Sequence, residues 1–116
     1  MDTSVPPFEP TFDLTPLLDL PLGSREFEAH MAHLRASYLG VANRFMDEEY
    51  PGLPDQGKIV EDAVSASMLS VTKARTMVSS YTLDDRAKRR WLEISGSLIT
   101  RNLSNTLMLL AMRSDE

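Results

Sequence analysis

The stretch Leu107-Met108-Leu109-Leu110-Ala111-Met112 is apolar on every face of any helix that carries it. A helix of a single soluble domain shows one apolar stripe, so an all-round apolar turn has to be covered on all sides. In a chain of 116 residues the nearest cover is a second copy of the same chain. The stretch predicts a homodimer joined through the last helix, with Leu103, Leu107, Leu110 and Met112 at the interface.

Upstream of it, Ala87, Trp91, Ile94, Leu98, Leu103, Leu107 and Leu110 read as the inward residues of one helix running from Leu83 to about Arg113. Thr82-Leu83-Asp84-Asp85 resembles a capping box that starts it, with Thr82 as N-cap and Asp85 in place of the usual Glu. Before it, a helix over about 58–80 carries Val60, Val64, Met68, Val71, Val78 and Tyr81 on one face. Its other positions are small (Ala63, Ser65, Ala66, Ser67, Ser70, Ala74), which lets helix axes approach closely and makes it the central helix. A first helix, about 24–49, starts at Ser24 as N-cap, with Glu26 and Glu28 where the helix dipole favours acids. Phe27, Leu34 and Val41 recur every seven residues, as do Met31, Tyr38 and Phe45, forming a seam over nearly three heptads. Tyr50-Pro51-Gly52-Leu53-Pro54 then breaks the helix. The fold expected is all-α, three helices in a single domain over residues 24–116.

Residues 1–23 form a separate arm. They hold five of the seven prolines, Pro6, Pro7, Pro10, Pro16 and Pro21, which exclude a helix interior. Phe8, Phe12, Leu14, Leu17, Leu18, Leu20 and Leu22 make it too apolar for a solvated tail. Thr15-Pro16 can open one helical turn, with Pro at the first helical position. The arm should dock, either on its own helices or on a partner.

Composition narrows the function. The absence of cysteine removes disulfides and thiolate chemistry. Neither a secretory signal nor a run of the ~20 apolar residues a membrane span needs is present, so the expected location is cytoplasmic. A net charge of −5 argues against nucleic acid as the main partner, since phosphate binding needs a basic surface.

Candidate chemistry is sparse. Glu26, His30 and His33 fall at i, i+4 and i+7 and could offer three ligands on one helix face. They are joined by no other histidine, and a solvated face is the preferred reading, with no metal. Asp47, Glu48 and Glu49 at a helix C-terminus suit an acidic surface rather than an acid–base pair. Ser95-Gly96-Ser97 lies mid-helix, unlike a nucleophile elbow, and Gly57-Lys58 lacks the rest of a phosphate loop. Arg86, Lys88, Arg89 and Arg90 form one dense basic cluster; a solvated face is the commoner origin of such runs, and a functional one would suit an acidic protein surface. No catalytic residue and no cofactor are expected, and the chain reads as no enzyme.

Two patches resemble a known family. Asp13-Leu14-Thr15-Pro16-Leu17-Leu18-Asp19-Leu20, followed by a glycine and a long helix ending at a proline break, is similar to the N-terminal half of TraM-type antiactivators. Arg90-Trp91-Leu92-Glu93-Ile94-Ser95 and Asn105-Thr106-Leu107 resemble their final helix, and the size and architecture resemble QslA-type antiactivators. The resemblance covers about a third of the chain and implies a helical, dimeric, catalytically inert bacterial protein. Such proteins bind a LuxR-type quorum-sensing transcription factor and keep it from DNA. Phe8, Phe12, Leu17 and Leu18 of the arm, with Met46 and Leu53 near helix ends, are the expected partner-binding residues, since apolar anchors carry most of the affinity at such contacts. A small acidic dimeric chaperone or a phage-type anti-defence binding protein is the alternative reading. A helical enzyme accessory with a metal at Glu26, His30 and His33 is the third.

Overall fold

The structure, a computed structural model, describes residues 12–114. Among them the chain forms a short 3-10 turn, Thr15–Asp19, then three helices: α1 (Arg25–Glu49), α2 (Gln56–Ser80) and α3 (Asp85–Ser114). The all-helical expectation holds, and each helix begins and ends within about two residues of its predicted limits.

Local chemistry explains those limits. The Ser24 hydroxyl accepts the Phe27 backbone N–H at 3.1 Å, so the first turn of α1 is capped as the sequence foretold. Helix α1 ends with the Tyr50 N–H bonded to the Met46 carbonyl, and Gly52 turns the chain at φ +86°, a value that favours glycine. The Gln56 side chain donates to the Asp47 carboxylate at 2.8 Å across this connection. At α3 the expected cap is displaced by two residues. Asp84, not Thr82, accepts the Ala87 N–H, at 2.7 Å, and its carbonyl takes the Lys88 N–H.

Helix α2 is the central one, packing most extensively on α3 and next on α1, while α1 and α3 meet less. Its inner face is Val60, Val64, Val71 and Val78 with the small Ala63, Ser67 and Ala74 between them. Phe27, Leu34, Tyr38 and Phe45 of the α1 seam are buried, with Met31 and Val41 half-buried at its edges. The molecule measures 46 × 35 × 21 Å. Its thin dimension is only about two helix diameters, so among the described residues no further layer covers the outer faces.

The register of α3 departs from expectation. Its inward residues are Leu92, Gly96, Ile99, Thr100, Leu103, Ser104, Leu107 and Ala111, whereas Ile94 and Leu98 face outward. Apolar periodicity misplaced them because the true inner face includes a glycine and two hydroxyl residues. Thr100 satisfies its hydroxyl on the Gly96 carbonyl at 2.8 Å, and Ser104 does so on Arg101, which makes their burial tolerable.

Candidate protein-binding surface

The arm determines what surface is left, because it spends most of its apolar groups inside the chain. Asp13 opens the 3-10 turn by accepting the backbone N–H of Thr15 at 3.0 Å and its hydroxyl at 2.8 Å. Leu14 and Leu17 then lie completely buried. The ring of Phe12 meets Tyr38 edge-on, with centroids 4.3 Å apart.

Two residues of the helices make this docking possible. A Cβ on Gly96 would stand 2.5 Å from the Phe12 carbonyl oxygen, so only glycine lets the arm cross α3 here. Arg75, 8 % exposed on α2, donates from Nε to the Leu17 carbonyl at 2.8 Å and from Nη2 to the Leu20 carbonyl at 3.3 Å. Its Nη1 donates to the Ser79 hydroxyl. No carboxylate among the described residues pairs with it. Periodicity did not bring it out, although it shares the i, i+4, i+7 row of Val71 and Val78, and a cation in an apolar row was the available signal.

Tyr38 is a second buried group at the arm's seat. Its hydroxyl has no hydrogen-bond partner among the described residues. Burial pushes the phenol up to about 12. The nearby Thr100 side chain opposes this only weakly, as the two groups do not reach hydrogen-bond geometry.

These placements revise the expected partner-binding set. Leu17 and Met46 have no exposed surface and cannot touch a partner while the chain keeps this conformation. Phe12, Leu18 and Leu53 are half-buried against the core, and Phe8 lies outside the described residues. The expected dimer residues divide in the same way. Leu103 and Leu107 are buried within their own chain, Leu110 packs half-buried against the core, and Met112 stays 59 % exposed. The closing turn of α3 is thus covered by its own chain around part of its circumference.

Among the described residues Leu22, Leu69, Met77 and Tyr81 are exposed elsewhere, and four more exposed apolar residues align as a stripe on α3. Ile94, Leu98, Leu109 and Met112 are 45–62 % exposed. With Asn105 they fall within about 60° of arc on α3 and run about 27 Å along it. Beside the stripe, α2 and α3 enclose a shallow groove lined by Ala66, Ser70, Asn102, Asn105, Thr106 and Leu109. A ridge of large side chains next to a trough of small ones is the relief that helix–helix packing uses.

The remaining candidates do not assemble a reactive centre among the described residues. No group of three His, Asp or Glu comes together as a metal site, and the His30 and His33 rings stand 6.4 Å apart. Ser95-Gly96-Ser97 is helical throughout. Asp47 and Glu48 are engaged by Gln56 and Arg44. In the basic cluster Arg90 pairs with Glu93 at 3.4 Å and Arg89 reaches Asp19 at 4.0 Å, beside a tilted Tyr81–Trp91 ring pair. No described helix is long and apolar enough to cross a membrane. No known protein family, characterised protein or solved structure matches the chain.

Proposed function

We propose that this chain is a non-enzymatic cytoplasmic binding protein, dimeric through α3, that sequesters a LuxR-type transcription factor and prevents its DNA binding. The observation that supports self-association through α3 is the uncovered stripe Ile94–Leu98–Leu109–Met112 with its adjoining groove. Exposed apolar groups ranged along one helix face of a small protein, here two pairs with Asn105 between them, suit docking of another macromolecule, in this case a second copy of the chain. The two resembling patches supply the particular partner.

The scale is consistent with this. The stripe and groove together span about 27 Å by two helix widths, on the order of 500 Å², against ~800 Å² per partner at a standard interface. Self-association through this face is isologous, the ridge of each copy meeting the trough of the other. Leu18 and Leu53 retain part of their surface for the transcription factor. Inhibition by occupancy needs contact area and no turnover, and no nucleic-acid contact by this chain is required.

Titration of the protein into a receptor–DNA complex tests the reading. DNA should be released in proportion to the protein added, with a plateau at a fixed molar ratio. Persistent DNA binding with the protein in clear excess across a panel of LuxR-type receptors overturns it and favours the chaperone or anti-defence alternative.

A further inference from the structure

The buried guanidinium of Arg75 is at the floor of a cleft where the arm, the end of α2 and the start of α3 meet. Leu18, Asp19, Arg75, Val78, Ser79, Asp85, Lys88 and Arg89 line it, around about 160 Å³. Arginine carries five N–H donors. Three of them reach Leu17, Leu20 and Ser79, which leaves one on each terminal nitrogen. A pair of N–H groups on the two terminal nitrogens is what a carboxylate can accept with both oxygens. Lys88 and Arg89 add two cations at the wall, while Asp19 and Asp85 remove two charges. The lining thus carries one net positive charge, matched to a single monoanion. Asp19 is itself an acid held loosely at this site, its carboxylate 4.0 Å from Arg89.

We propose that this cleft is a carboxylate-binding site, in which Arg75 grips the anion, Lys88 and Arg89 attract it, and Asp19 of the arm is its internal competitor. It gives the basic run of α3 a specific use, separate from the apolar stripe. A carboxylate seated there would bridge the arm to α2 and α3 and hold the arm down.

The test is a titration of ¹⁵N-labelled protein with sodium acetate, against sodium chloride at equal ionic strength, read at the amides of Ser79, Lys88 and Arg89. Acetate should give saturating shifts confined to the cleft, and chloride should not. Lys88→Ala and Arg89→Ala, both on the cleft wall, should each weaken saturation about 3–10-fold, and Asp19→Asn should tighten it several-fold. A capped glutamate (N-acetyl, C-amide) run in parallel separates the sources. Tighter binding than acetate assigns the site to an acidic side chain of a protein, and weaker binding assigns it to a free small carboxylate. Shifts that follow ionic strength equally with both salts, or saturation unchanged in all three variants, overturn the proposal.

Discussion

Arg75 and Leu17 are 58 positions apart in the chain, and the Nε of one donates to the carbonyl of the other at 2.8 Å. Arg75 as a whole is nine-tenths buried, and its guanidinium is answered by carbonyl and hydroxyl oxygens alone among the described residues. Removing it takes the Leu20 carbonyl's bond, leaves the Leu17 carbonyl with only the Leu20 N–H at 3.3 Å, and loosens the arm.

Arg75→Ala should therefore lower stability by about 2–4 kcal/mol, as loss of charge-assisted bonds and a buried polar network does. The arm should respond more than the helices. Hydrogen exchange at Leu17, Leu20 and Ser24, whose backbone N–H groups are bonded within the arm, should accelerate well beyond that of the α2 core. Uniform acceleration everywhere would show that the arm is not a separately held unit.

Gly96→Ala sets two effects against each other. Alanine gains about 1 kcal/mol in a helix interior, but its Cβ would collide with the Phe12 carbonyl at 2.5 Å. Backbone cannot yield as a flexible side chain does, so the variant should melt lower and lose the Phe12–Tyr38 contact. A raised melting temperature would mean that the arm moves aside freely.

Tyr38 predicts a pH dependence. Its phenol titrates near 12 in the fold against 10.0 in the unfolded chain, so its contribution is complete below pH 10. It declines as pH rises from 10 to 12, because the unfolded chain ionises first. The loss by pH 12 is about 2–3 kcal/mol. Tyr38→Phe should abolish that slope in denaturant melts. It should also leave neutral-pH stability unchanged or higher, since it deletes a buried hydroxyl without a partner.

Position decides the outcome of leucine substitutions in α3. Leu98→Ser with Leu109→Ser, on the exposed stripe, should preserve the melting temperature of the isolated chain while light scattering shows weaker self-association. Leu107→Asp buries a charge at a fully covered site and should unfold the chain outright. A monomeric wild type at micromolar concentration would remove the dimer from the functional proposal.

In α1, Leu34→Ala empties a buried seam position and should cost about 2–5 kcal/mol. Thermal melts decide it; an unchanged midpoint would mean the seam is not core.

The helices were legible because their punctuation is chemical. Ser24 caps, Pro51-Gly52-Leu53-Pro54 breaks, and the Val60–Val64–Val71–Val78 row has one inner face. The face of α3 was not legible, since Gly96, Thr100 and Ser104 do not register as apolar yet fill its interior. The arm's destination was obscured for a related reason. Its seat is made of a glycine, an arginine and a tyrosine, residue types whose partners lie far away in sequence and whose pairing leaves no periodic trace. The stripe emerged only once Ile94 and Leu98 were seen to point outward.

Gly96, whose bare backbone admits the arm, also sets a timetable for biosynthesis. Leu14 and Leu17 leave the ribosome before the notch that receives them, which follows roughly 80 residues later. At about 5–20 residues per second, the nascent chain carries uncovered leucines for about 4–16 seconds, a window in which any factor that recognises short apolar segments can reach the arm before α3 does.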